Sequence, residues 1–150
     1  MANFVFNYGK GKVARYADLP ASGDKVWMMV LATSGIESDA TLIDKATITA
    51  LVSGTTNEVT NSGYSRKDIT TGVTVTVDTA NDRTDVDCGD QTWTAVSAGD
   101  GWNDIVIYYD PDGTNTDSQN VPLTQHDFVV TPDGSDITAQ IASAGFFRAS

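Results

Sequence analysis

Cysteine and histidine occur once each in these 150 residues, as Cys88 and His126. That count excludes an intramolecular disulfide, a Cys-x-x-Cys redox pair and a zinc site built from cysteine and histidine. Long apolar runs are also missing. The longest, Val26 to Ala32, has seven residues, where a membrane-spanning helix needs about 20, and no apolar stretch of signal-peptide type follows Met1. A soluble product made in the cytoplasm, with no membrane partner, is therefore expected. Basic residues are few, 9 against 20 acidic ones, and the net charge of −11 repels nucleic-acid phosphates, so no direct nucleic-acid partner is expected. No Gly-x-Gly-x-x-Gly or Walker loop occurs; Gly9-Lys10-Gly11-Lys12 is read as lacking the helix and hydroxyl that would turn amides toward a phosphate. No cofactor is implied.

Glutamate is the other scarce residue, 2 against 18 aspartates, beside 13 glycines and 20 threonines. Aspartate and glycine suit tight turns and threonine a half-exposed strand, whereas acidic helical chains rely on glutamate. Composition thus predicts a mainly β chain, and its length fits one domain that buries roughly 68–70% of its unfolded surface without covalent staples. Charge is unevenly placed. Residues 1–17 hold Lys10, Lys12 and Arg15 and no acid, whereas Asp78 to Asp136 holds 13 aspartates against the single cation Arg83. This divides the chain into a basic N-terminal arm, 1–17, and a single β-rich domain, 18–150. A frayed end beside a solvated surface would give the same pattern; the alternative is an electrostatic tether to an acidic neighbour, anchored by Phe4, Phe6 and Tyr8.

Phe4, Phe6 and Tyr8 alternate with Val5 and Asn7, the period of a strand, until Gly9 breaks it. Lys25 to Ala32 reads as a strand buried on both faces. One short helix is predicted over Asp44 to Ser53, with Asp44 as N-cap, from the spacing of Ile48, Leu51 and Val52. The β-branched run Thr47-Ile48-Thr49 keeps a strand open there. Val73, Val75 and Val77 then share one strand face, and residues 79–83 turn into a partner strand at Thr84 to Cys88 that sets Val86 and Cys88 opposite the valines. Cys88 is read as a buried small hydrophobe. Further strands are expected at Gln91 to Val96, Asp104 to Tyr109, Leu123 to Thr131, Asp136 to Ile141 and Phe146 to Arg148. The fold class is mainly β, an antiparallel β-sandwich or barrel-like domain with one short helix and an extended N-terminal arm.

Catalytic chemistry finds little to work with. His126 stands alone as a base near neutral pH, in a regular strand and with no nucleophile-elbow motif in the chain, so it is read as structural. Asp87 and Asp90 flank Cys88 and disfavour its thiolate. Aspartate pairs abound, but beside Gly, Asn and Pro in solvated turns rather than in the apolar pocket a glycosidase acid needs. Asp110 to Asp117 looks like a calcium loop, yet aligning Gly113 with the glycine of an EF-hand puts Tyr108 and Gln119 where carboxylates are required. No catalytic residue and no metal ligand is assigned. Trp93, Trp102, Tyr108 and Tyr109 would suit a sugar-binding face, though a β-sandwich core accounts for them more economically.

Lys10-Gly11-Lys12-Val13-Ala14, Gly63-Tyr64-Ser65-Arg66-Lys67, Val75-Thr76-Val77-Asp78, Asp90-Gln91-Thr92-Trp93, and Asp127-Phe128 through Thr131-Pro132-Asp133-Gly134-Ser135-Asp136 together resemble small virion structural proteins of tailed bacteriophages, over most of the chain. The resemblance implies a capsid decoration (cement) protein on the outer surface of the head, made in the host cytoplasm and bound to the major capsid protein as a homo-oligomer, a trimer being one arrangement. It brings no catalytic motif. Charge and apolarity nominate Phe4, Phe6, Lys10, Lys12, Arg15, Arg66 and Lys67 as capsid-binding residues. Phe146, Phe147 and Arg148 are nominated as a subunit interface or, with equal weight, as core. A tail or head-to-tail joining component is the alternative reading, and a carbohydrate-binding host-adhesion domain the alternative of another class.

Overall fold

The computed structural model describes residues 1–150 as three antiparallel sheets and three short helices, the mainly β class that the composition predicts. Strands β2 (Lys25–Ala32), β7 (Trp102–Asp110) and β8 (Val121–Val130) form the centre of a five-stranded sheet. Two-residue strands guard its edges, β1 (Phe4–Val5) along β8 and β3 (Lys67–Asp68) along β2, in the order β1-β8-β7-β2-β3.

Both faces of this sheet are buried along β2 and β7, because these two strands are apolar on both sides. On one face Val26, Met28, Val30, Ile105 and Ile107 pack beneath a ribbon of β6 (Gln91–Trp93) and β9 (Ile137–Ala139). On the other, Met29, Leu31, Val106 and Tyr108 meet Leu42 of α2 (Asp39–Leu42), Ile48 and Leu51 of α3 (Ile48–Leu51), and Phe6. The third sheet, ordered β10-β5-β4, joins β4 (Thr74–Asp78), β5 (Arg83–Asp87) and β10 (Phe147–Ala149), and α1 (Val13–Ala17) packs against β4 and β5. No helix is long and apolar enough to cross a membrane.

Three sequence expectations change. Helices number three rather than one, and α3 starts at Ile48 because Thr47, extended at φ −140°, caps it by accepting from the Ala50 amide at 3.1 Å. The β-branched residue that weakens a helix interior serves its boundary. Asp44, expected as the cap, instead accepts from the side-chain amide of Asn7, through Nδ2. Secondly, α1 does follow Gly9 to Lys12, though it spans only five residues and brings no Ser or Thr.

Thirdly, residues 1–17 are no extended arm. Phe4 and Val5 pair with Gln125 and Thr124, the Phe6 amide donates to the Leu123 carbonyl at 3.0 Å, and the Asn7 amide donates to the Ile43 carbonyl at 2.8 Å. Phe6 is fully buried, and Val13 and Ala17 anchor α1 to the body. Burying one Phe side chain is worth about 1.5–3 kcal/mol, a gain that a free arm would forgo.

Candidate functional site

The tight turn through residues 6–12 decides what the N-terminal segment can offer a partner. Amides of Gly9 and Lys10 both donate to the Phe6 carbonyl, at 2.9 and 3.0 Å, and Gly9 lies so close to β8 that a Cβ there would stand 3.0 Å from the Leu123 Cα. The chain then enters α1, where Val13 and Ala17 face inward and Arg15 faces water. Tyr16 stacks on Tyr109 at 4.2 Å and 4°, and the Tyr109 hydroxyl donates to the buried Asp24 at 2.8 Å, which locks the helix to the main sheet. Lys10, Lys12 and Arg15 consequently project from a rigid rim rather than from a flexible tether. Beside them Tyr8 is 54% exposed.

The electrostatics single this rim out. Lys25, Lys45, Arg66, Arg83 and Arg148 each meet a carboxylate within the molecule, whereas no ion pair uses Lys10, Lys12, Arg15 or Lys67; of these four, Lys67 is half-buried and stands apart, and the other three are exposed on the one rim. Lys10 donates to Asn7 Oδ1 at 2.7 Å and Lys12 lies 5.9 Å from the centre of the Tyr16 ring, contacts that leave both charges uncompensated.

The remaining nominated residues are placed differently. Phe4 is half-buried edge-on to Phe6, 5.1 Å between ring centres, and Phe6 has no exposed surface, so neither presents an apolar anchor to a partner. Arg66 is drawn inward: its guanidinium donates to Glu58, to Asp117 and to the Tyr108 hydroxyl, leaving no free fork for a capsid. Lys67 covers the Trp93 ring at 5.4 Å. Phe146 and Phe147 lean on the small cluster of Val13, Tyr109 and Leu123, and Arg148 donates to Asp85 at 2.6 Å, so all three already have partners in their own chain. The rim is thus reduced to Tyr8, Lys10, Lys12 and Arg15. Tyr8 is the exposed aromatic of the N-terminal segment because β1 ends at Val5 and Tyr8 lies in the turn beyond it, which alternation alone does not reveal.

The aromatics that would have made a sugar platform are core: Trp93, Trp102, Tyr108 and Tyr109 are all buried. The Trp102 indole donates to Asn61 at 3.0 Å, and Asn61 in turn donates to the Ser97 and Asp100 carbonyls, so one buried amide pins the loop before β7. Sequence inspection overlooks Asn61, since an isolated Asn near Gly63 reads as an ordinary turn residue.

In the 110–117 loop the oxygens of Asp110 accept from the amides of Gly113 and Asn115, at 3.0 and 2.9 Å, and from the Trp27 indole, while Asp117 serves Arg66. These carboxylates organise a turn. A cavity of about 370 Å³ opens beside β8, lined by Met28, Ile105, Ile107, His126, Phe128 and Phe146 among others. There His126 shares a 2.9 Å hydrogen bond between Nε2 and the Thr124 hydroxyl, and burial holds its pKa below the ordinary histidine value. Burial, reinforced by Asp87 and Asp90, pushes the Cys88 thiol up to about 12.

Comparison with protein-family models, with curated proteins and with solved structures found no match.

Proposed function

We propose that this chain is a non-enzymatic structural protein of a tailed-bacteriophage particle, a decoration protein that sits on the outer surface of the head and grips the shell through the rim of Tyr8, Lys10, Lys12 and Arg15. The observation that carries this reading is the uncompensated cationic rim on a body of net charge −11. A strongly acidic protein that neutralises its other arginines internally, yet leaves three cations together in water, is built to meet an acidic surface. The resemblance of the sequence motifs to virion structural proteins is the ground for taking that surface to be the major capsid protein.

Each rim contact is worth only about 0.2–1 kcal/mol where solvent reaches it. Durable attachment therefore needs several copies acting together on a repetitive shell. Mixing the purified protein with undecorated heads is expected to give saturable binding that weakens as salt shortens the screening length. The triple variant Lys10→Glu, Lys12→Glu, Arg15→Glu should keep its melting profile, since all three side chains lie in water, and lose binding. Undiminished binding by that variant would overturn the rim. Gold label confined to a vertex or the tail in negative stain would replace the head reading with that of a joining component.

A further inference from the structure

The hairpin of β4 and β5 carries a feature that the rim does not use. β4 is the outer strand of its sheet, and none of its backbone groups from Thr74 to Val77 bonds to anything on its free side. The other edges are shorter: β1 and β3 have two residues, β6, β9 and β10 have three, and β10 also carries the charged Arg148. β4 has five residues, Thr-Val-Thr-Val-Asp, with no proline, no lysine and no bulge, the devices that ordinarily blunt an edge. Its only charge, Asp78, is already bound by Arg83 at 3.2 Å.

The faces of this sheet differ. Val75 lies across from Val86, which lies across from Phe147, and this row sits on the body. The next row outward, Val77, Thr84 and Ala149, shares that apolar face but overhangs the body. Val77 is 68% exposed, the distal half of the apolar face being uncovered.

We infer that a second copy of this chain pairs its own β4 antiparallel to this one across a two-fold axis at Thr76. The register matches itself: Val75 meets Val77 of the second copy, Thr76 meets Thr76, and Thr74 meets Asp78. Residues directly opposed on antiparallel strands share a face, so valine meets valine and threonine meets threonine, while a slip of one residue would set valines against threonines. Charge permits the approach. In a molecule of −11 this is an edge where two copies meet without bringing unpaired like charges together, because Arg83 neutralises Asp78 on each side. The pairing lays the overhanging tip of each hairpin beside the root of the other, which covers Val77 and fuses two three-stranded sheets into one of six strands. An isologous interface of this kind closes at two copies. It stands independently of the capsid reading and differs from the contact through Phe146 to Arg148.

The test is cross-linking at the axis combined with sedimentation. Thr76→Cys places two thiols at the two-fold position, and the native Cys88 is buried and does not compete. Under mild oxidant this variant should convert to a disulfide-linked dimer many times faster than a control with cysteine at the exposed Thr131. Sedimentation equilibrium of the unmodified protein should show a monomer–dimer equilibrium, shifted to monomer by Thr76→Lys, which sets two cations face to face on the exposed side of the strand. A monomer at millimolar concentration, or cross-linking no faster than the Thr131 control, overturns the inference. Thr76→Lys that unfolds is distinguished from Thr76→Lys that dissociates by its melting profile, and the cysteine arm stands without it. Loss of dimer with retained head binding by the same variant would separate this inference from the rim.

Discussion

The guanidinium of Arg66 and the carboxylate of Asp117 face each other in a two-pronged contact, Nη1 on Oδ1 at 2.5 Å and Nη2 on Oδ2 at 3.0 Å. Glu58 takes the other side of the same guanidinium at 2.7 Å, and the Tyr64 hydroxyl donates to Glu58 while accepting from the Val30 amide. One cation thereby ties together the segment before β3, the loop between β7 and β8, and the edge of β2. A planar fork is needed because the two carboxylates arrive from different directions.

Removing that cation with Arg66→Met leaves two carboxylates, each about a quarter to a third exposed, without a partner. The cost should fall between that of a surface pair, near 1 kcal/mol, and that of breaking a buried one, about 3–5 kcal/mol, and we expect about 2–3 kcal/mol. Arg66→Lys should recover less than half, as a point charge cannot serve both acids. Urea denaturation measures both; a loss below about 0.5 kcal/mol for Arg66→Met would mean that water already serves the carboxylates.

Gly145 governs how the final strand is seated. Its φ is +82°, and a Cβ would run into the backbone carbonyl of Val86, the oxygen that accepts from the Phe146 amide at 2.9 Å. Gly145→Ala combines left-handed strain with a backbone clash that no side-chain rotation relieves, for a cost of about 2 kcal/mol or more. Hydrogen exchange should speed up in residues 146–149 while β2 and β7 keep their protection. Uniform acceleration across the chain would show that β10 has no separate attachment.

The core strands were legible and the periphery was not, for physical reasons. Lys25 to Ala32 is apolar on both sides, which only a strand between two covered faces satisfies, and its bounds match β2. Val75 opposite Val86 was legible because two-residue alternation assigns faces. The same alternation misplaced Val77, since it reports which side a residue takes and not how far the body extends beneath it. The basic segment was misread because charge says nothing about backbone partners: Phe6 enters a core cluster whose other members are all more than twenty positions away. For Arg66, the rest of the cluster lies at Glu58, Tyr108 and Asp117, distances in sequence that no local pattern spans.

Cys88 should resist thiol reagents in the native protein and react at once on unfolding. Burial and the charges of Asp87 and Asp90 raise its pKa to about 12, so the folded state disfavours the thiolate that the unfolded chain forms readily. The sign follows: stability is unaffected while both states keep the proton, then falls as pH climbs from the ordinary thiol value toward 12. Cys88→Ala should flatten that alkaline decline relative to the parent. Equal declines in the two proteins would assign the alkaline loss to other groups, the buried tyrosines first among them.

His126 sets a dependence of the opposite sense. Its ring sits edge-on to Phe146 at 6.3 Å between centres, opposite Ile105 across the strand pair, and burial lowers its pKa below 6.5. The folded state therefore prefers the neutral ring, and the unfolded chain takes up the proton first as the solution is acidified. The contribution of His126 is complete above pH 6.5 and is lost as pH falls through the lowered folded value, at a slope of at most about 1.4 kcal/mol per pH unit. His126→Gln removes the titration and keeps a group that can hydrogen-bond Thr124. Between pH 7 and 5 the parent should lose stability that the variant retains, and ring-proton chemical shifts should titrate below 6.5 in the folded parent. A ring that titrates at or above 6.5 would place His126 in water and would mean that Phe146 does not close over it.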